Sequence, residues 1–382
     1  MVACAAVGMV VSRLAAVVAD SPAPDPLRPH REKIDEIDRQ LVELLCQRAE
    51  VVAEVGETKR ASGLPVYAPH REREVIDRAV QRNRGPLSDR TVEAVFREIM
   101  SGSFRLELPI RVGFLGPPGT FSHLAAKRHF GSSVDCVDLG SIDAVFAEVE
   151  GGRIDFGLAP YENSIGGSIV DTLEAFQAHR VRACAEALIN VSQCFLANCA
   201  PEAVRRIYSR NEVFQQCRKW LAQRYPKAEL VAIASSALAV ERAAAEAAEG
   251  SAAIGSALAG ELLGVNLLYD GIQDRPENIT RFLVIGREEA KPSGKDKTVI
   301  LFTTQHKPGA LVEVLDCFRQ AGINLSHVDK RPSGRQNWQY CFFIDADAHS
   351  ADEPMQRALA AARTHCASLE VLGSFPRAQR IL

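Results

Sequence analysis

The sequence predicts a multidomain chain: an all-α segment, then an α/β domain, then a small ferredoxin-like α+β unit. Three observations carry this. Residues 30–107 hold few glycines and run in long apolar stripes of helical period, with a break around residues 61–65. Residues 109–286 alternate short β-branched runs, at 110–115, 154–159, 191–196 and 281–285, with Ala-rich helical stretches. Residues 297–376 read strand, helix, strand, strand, helix, strand, at 298–303, 309–321, 323–329, 339–345, 354–365 and 369–374. The expected divisions are a disordered extension and linker at 1–28, a helical domain at 29–108, an α/β domain at 109–288 and the terminal unit at 296–378.

Composition narrows the function classes. A chain of 382 residues has room for two or three domains at about 150 residues each. Its 24% charged and 47% hydrophobic residues are ordinary for a soluble protein. A net charge of −3 argues against the clustered base of a nucleic-acid binder. The apolar run at residues 2–11 is shorter than the about 20 residues a membrane span needs. No positive charge precedes Arg13, so the start does not open as a secretory signal. Ten cysteines without C-x-x-C pairs read as reduced thiols in a cytoplasmic protein, with no disulfide framework and no metal site.

Each helix of the first segment carries charge where its core stripe should continue. The first runs Ile34, Ile37, Leu41, Leu44, Leu45, and then Arg48, Val51, Val52, Val55 and Lys59. Arg48 and Lys59 are close to three turns apart, so they point the same way, roughly 16 Å apart along the axis. The last helix continues Val92, Val95, Phe96 and Ile99 with Ser103 and Glu107, and the middle one sets Glu72 beside Ile76 and Ala79. A single stripe-edge cation ordinarily snorkels to water. Several polar groups interrupting three stripes point instead to a shared anionic ligand, because an unpartnered buried charge costs several kcal/mol.

These residues carry a resemblance. Arg31-Glu-Lys-Ile-Asp35, Arg48, Val55-Gly-Glu-Thr-Lys59, Arg71-Glu72-Arg73-Glu74 and Phe96-Arg-Glu-Ile-Met100-Ser101 resemble the all-helical chorismate mutase domain. The resemblance implies an intertwined homodimer, or a higher homo-oligomer, of three-helix chains, with Arg31 crossing to the partner's site. It implies that Arg31, Arg48 and Arg71 bind the two carboxylates of chorismate and that Ser103 contacts one of them. Lys59 would donate to the ether oxygen and Glu72 would hold the hydroxyl. Glu107 stands where some relatives have Gln as the second donor; a carboxylate cannot donate, so Glu107 is expected to work protonated. The rearrangement is pericyclic, so it calls for held geometry and stabilised charge rather than a nucleophile, metal or cofactor.

In the second segment, Val112-Gly-Phe-Leu-Gly-Pro-Pro-Gly-Thr-Phe-Ser122 reads as strand, tight turn and helix start, with Thr120 or Ser122 as cap. Its Gly spacing is not G-x-G-x-x-G, so no dinucleotide is implied. Ala159-Pro-Tyr-Glu-Asn-Ser-Ile-Gly-Gly-Ser168 is a polar Gly-rich loop after a buried strand. In Asn278-Ile-Thr-Arg-Phe282, Thr280 and Phe282 share one strand face and Arg281 takes the other. Together, G-P-x-G-T-F-S, P-x-E-N-S, Y-S-x…F-Q-Q-C and T-R-F resemble prephenate dehydratase. The resemblance implies two α/β lobes like those of periplasmic binding proteins, with the site between them. It names Thr280 as the main catalytic residue and Asn163, Ser209 and Gln216 as cleft lining. Glu162, Thr120 and Arg281 are further substrate contacts, Arg281 for the pyruvyl carboxylate.

The terminal unit resembles the ACT domain attached to such dehydratases. His306-Lys-Pro-Gly-Ala-Leu-Val312 and Asp329-Lys-Arg-Pro332 match its effector motifs. The resemblance assigns Gly309, Ala310, Leu311, Val312, Asp329, Arg331 and Pro332 to an L-phenylalanine site, with no further cofactor. The expected function is conversion of chorismate to prephenate and of prephenate to phenylpyruvate, inhibited by L-phenylalanine. Two alternatives stand beside it: a mutase that dehydrates arogenate, and a non-catalytic anion sensor.

Overall fold

The computed structural model describes residues 25–62, 67–305, 307–332 and 340–382. Most of the expected extension, residues 63–65 of the expected break, His306 and Gln339 lie outside the described residues. The chain divides into two units, Met1–Val51 and Val52–Leu382.

The described part of the first unit belongs to helix α1 (Arg28–Ser62) and the turn before it. Its expected core stripe is not covered by the described residues: Ile34, Ile37, Leu41, Leu44, Leu45 and Val51 are 43–60% exposed. A row of large apolar side chains at helical spacing, left in water, is a face awaiting a partner surface.

The second unit opens with the last turns of α1, followed by α2 (Pro69–Arg82) and α3 (Asp89–Glu107). Proline at the first turn starts α2, and the Ser88 hydroxyl accepts from the Thr91 N–H to start α3. The buried face of α3 is Glu93, Met100, Ser101, Ser103 and Phe104. Gly56 is buried where α1 meets the end of α3; a Cβ there would stand 2.8 Å from Glu107 Cα. A glycine is what lets these two backbones touch.

Residues 111–286 form two sheets. The first lobe contains β1 (Arg111–Leu115), α4 (Phe121–Phe130), β2 (Asp135–Leu139), α5 (Ile142–Glu150), β3 (Phe156–Asn163), β4 (Gly167–Ser168), α6 (Val170–Ala178) and β5 (Arg182–Asn190). The second contains β6 (Cys194–Ala197), β7 (Arg206–Ser209), α7 (Asn211–Gln216), α8 (Arg218–Arg224), β8 (Glu229–Ala232), α9 (Ser236–Ala245), β9 (Ser251–Gly255), α10 (Ala257–Leu263) and β10 (Leu267–Tyr269). The chain then returns to the first sheet as β11 (Ile279–Gly286), between β3 and β5 and antiparallel to both. The sheet orders are β2-β1-β3-β11-β5, with β4 on β3, and β10-β6-β9-β7-β8.

One expected strand is corrected. Residues 191–193 are not in a strand: Val191 N–H goes to Asn278 O and Gln193 N–H to the Gln273 side chain, so β6 starts only at Cys194. The preceding β5 was not expected, because its sequence RACAEALIN is Ala-rich and reads as helix. Burial between neighbouring strands overrides that local preference.

The last unit is β12 (Asp296–Thr304), α11 (Ala310–Gln320), β13 (Leu325–Pro332), β14 (Tyr340–Ala346), α12 (Glu353–Arg363) and β15 (Cys366–Pro376), with an antiparallel sheet β13-β14-β12-β15. Phe302, Val314, Phe318, Ile344 and Met355 fill the space between its sheet and helices.

Replacing Gly56 by Ala forces the α1 backbone away from α3. We expect a loss of about 1–3 kcal/mol in the urea unfolding transition that includes these helices.

Candidate active sites

In the helical segment the structure brings Lys59 and Glu107 together: Lys59 Nζ donates to Glu107 Oε2 at 2.6 Å. The close approach at Gly56, one turn before Lys59, sets this distance. The two groups expected to donate jointly to one substrate oxygen are thus engaged with each other, because opposite charges at this range attract. Glu72 is buried beside them; desolvation pushes its carboxyl up to about 8 against the charges of Arg97 and Lys59. Its Oε1 has no hydrogen-bond partner among the described residues. Ser103 is buried and donates to Ile99 O.

The other expected mutase residues are elsewhere engaged. Arg71 is exposed and pairs with Glu74 on its own helix at 2.7 Å, and Arg31 pairs with Asp25 at 2.6 Å. Arg48 lies half-buried on α1 in the first unit.

In the α/β segment the organising residue is Asn163. Its Oδ1 accepts from the N–H groups of Ile165 (3.0 Å) and Gly166 (2.8 Å), which fixes the amide's orientation. Its Nδ2 then donates to Thr280 Oγ1 at 2.9 Å and to Asn278 Oδ1 at 2.8 Å. Thr280 is 9% exposed and sits opposite Asn163 in the β11–β3 ladder. Since Asn163 supplies a proton to the threonine oxygen, the hydroxyl's own proton is left to donate outward. Gln216 Oε1 accepts from Asn278 Nδ2 (3.3 Å) and Gln193 Nε2 (3.1 Å), extending the same network to α7. Asn278 and Gln193 were missed as site residues. The signal for Asn278 was present, since it stands two residues before Thr280 and so on the same face.

Three of the expected substrate contacts are engaged within the chain in this structure. Arg281 is turned to the protein's own carboxylates. It is buried with Nε on Glu186 at 2.6 Å and Nη1 on Asp345 of β14, its guanidinium over the Tyr161 ring. Burial opposes its charge, but Asp345 and Glu186 outweigh it and raise its pKa. Ser209 is fully buried and donates to Ile254 O at 2.8 Å, anchoring the end of β7 rather than joining Thr280. Thr120 caps α4: its oxygen accepts from His123 N–H and its hydroxyl donates to Leu115 O. Glu162 stands on the Arg281 side, 3.7 Å from its Nη1 and 3.5 Å from His327 Nδ1. The hydrogen bond to His327 draws the Glu162 carboxyl below its usual range.

In the terminal unit, Gly309 takes a left-handed φ of +80° at the cap of α11, which Ala310 opens; Leu311 is half-buried and Val312 exposed. Arg331 Nη2 lies 3.6 Å from Asp329 on β13, and Pro332 ends that strand.

The chorismate mutase type II family profile matches residues 30–108, and that of prephenate dehydratase matches residues 112–290. The bifunctional chorismate mutase/prephenate dehydratase of Stutzerimonas stutzeri is 40% identical over 93% of this chain and 98% of its own length. The chain belongs to this family. The protein of the same description from Pseudomonas aeruginosa is likewise 40% identical, over 93% of this chain and 98% of its own. The solved prephenate dehydratase of Arthrobacter aurescens in complex with L-Phe is 30% identical, with a TM-score of 0.66 over 70% of this chain and 90% of its own. None of the described helices is long and apolar enough to cross a membrane.

A carboxyl that titrates near 8 when folded and near the ordinary 4.5 when unfolded binds its proton more tightly in the folded state. Its contribution is therefore fully present below about pH 4.5 and is lost as the pH rises toward 8. Glu72→Gln should flatten the fall of Tm across that window, as read by thermal unfolding at graded pH.

Proposed function

We propose that the helical segment converts chorismate to prephenate and that Lys59, Glu107 and Glu72 act there on the substrate's polar groups. Lys59 stabilises charge developing on the ether oxygen. Glu107, which holds Lys59 in the structure, acts with it at the same oxygen. Arg48 and Arg71 bind the carboxylates, together with Arg31 of the partner chain and Ser103. The uncovered stripe of α1 supports a homodimer, since a second copy of the same helix is a matching apolar surface.

In the α/β segment, prephenate loses its ring carboxylate as carbon dioxide and its ring hydroxyl as hydroxide, which takes a proton from solvent to become water, giving phenylpyruvate. The observation that supports this site is the Asn163–Thr280 hydrogen bond, which leaves the threonine proton for the departing hydroxyl. Thr280 is too weak an acid to give that proton up outright, so it acts as a donor that stabilises departure. Gln216 lines the cleft through Asn278.

The terminal unit is read as an ACT domain that binds L-phenylalanine at Gly309–Val312, Asp329, Arg331 and Pro332. The L-Phe complex of the Arthrobacter relative supports an effector of this kind. The nine described cysteines are all free, in keeping with a reducing cytoplasmic setting.

The experiment is to give the purified chain chorismate and follow its loss and the appearance of phenylpyruvate, with and without L-phenylalanine. Thr280→Val should abolish phenylpyruvate formation and leave chorismate consumption intact; loss of both would mean misfolding. Glu107→Gln, which offers an N–H donor in place of the carboxylate, should retain or raise mutase turnover. A large loss of turnover in that variant would defeat the role given to Glu107.

A further inference from the structure

The dehydratase substrate carries two carboxylates, yet the cation that the sequence offers beside Thr280, Arg281, is consumed by Glu186 and Asp345. The positive charge for the substrate must come from elsewhere. A cavity of about 440 Å³ borders the network that ends on Thr280: Gln216 and Asn278 form part of its wall. Three cations, Arg218, Lys219 and Arg275, line the same cavity, all exposed. Its one lining acid among the described residues is Asp274, and that carboxylate is already occupied, accepting from Lys219 N–H at 3.1 Å and from Trp220 N–H at 3.4 Å. The cavity wall therefore carries a net positive charge within two hydrogen bonds of the threonine, through Asn278 and Asn163.

We propose that Arg218 and Arg275, with Lys219, bind the pyruvyl carboxylate of the dehydratase substrate and select a keto acid over the corresponding amino acid. This rests on the dehydratase reading above. The choice between the two carboxylates follows from the chemistry. The ring carboxylate leaves as neutral carbon dioxide, its electron pair passing into the ring as the C–O bond to the hydroxyl breaks. An ion pair to that group would be strongest in the ground state and would slow the reaction. The pyruvyl carboxylate keeps its charge from start to finish. Cations on it bind ground and transition states alike, which lowers KM without changing kcat. An α-ammonium beside that carboxylate, as in arogenate, is repelled by the same cluster.

Steady-state phenylpyruvate formation from prephenate by the full chain tests this, with mutase turnover on the same samples as a check on folding. Arg218→Gln and Arg275→Gln should each raise the KM for prephenate by about fivefold to tenfold with kcat retained. Replacing all three cations by Gln should raise it further. Added salt should raise KM in the wild type and much less in the triple variant. The preference for prephenate over arogenate should narrow in the triple variant. An unchanged KM in the triple variant, or a fall in kcat at constant KM, would overturn the proposal while the wild-type turnover left the dehydratase reading standing. A wild type that makes no phenylpyruvate would overturn that reading and this proposal with it.

Discussion

The buried Arg281 guanidinium fixes the geometry around Thr280. A cation out of water costs several kcal/mol unless carboxylates surround it. One of these, Glu186, comes from β5 in the same sheet; the other, Asp345, comes from β14 of the terminal unit. The residue next to Thr280 is therefore gripped from two directions, with the Tyr161 ring beneath it. Because neighbouring side chains on a strand point to opposite faces, gripping Arg281 on one face holds the Thr280 hydroxyl in place on the other. Asn163, clamped by two backbone N–H groups, completes the setting.

The helical segment meets the same physical demand differently. Its seam carries polar groups that need partners, and the glycine at position 56 brings the backbones close enough for Lys59 and Glu107 to satisfy each other. Glu72 finds no such partner for its Oε1, and burial keeps its proton on. One carboxyl is held by an ammonium and its neighbour is isolated from water. Two acids in one seam thereby meet different surroundings.

Local signals in the sequence read well. The long helices, the Thr120 cap and the βαββαβ order follow from periodicity and capping chemistry, which act over a few residues. Strand alternation already placed Arg281 opposite Thr280. Its partners, however, lie 95 and 64 residues away, and no local pattern announces them. The same holds for Gln193, whose role depends on Gln216 reaching it from another element. Ala-rich β5 reads as a helix because only the surrounding sheet makes it a strand. The stripe of α1 was legible as apolar, while its exposure was not, since periodicity marks an apolar face without saying what packs on it.

Gly373 of β15 lies against Ala183 of β5 so tightly that any side chain there would collide with the Ala183 carbonyl, and Arg182 donates to Val371 O beside it. The terminal unit is consequently no bead on a string. A gene fusion or recombination event that cut in the stretch between β11 and β12 would break this shared seam and leave the cation beside Thr280 with Glu186 but without Asp345. Inherited as one cassette, the two units keep both carboxylates on that cation.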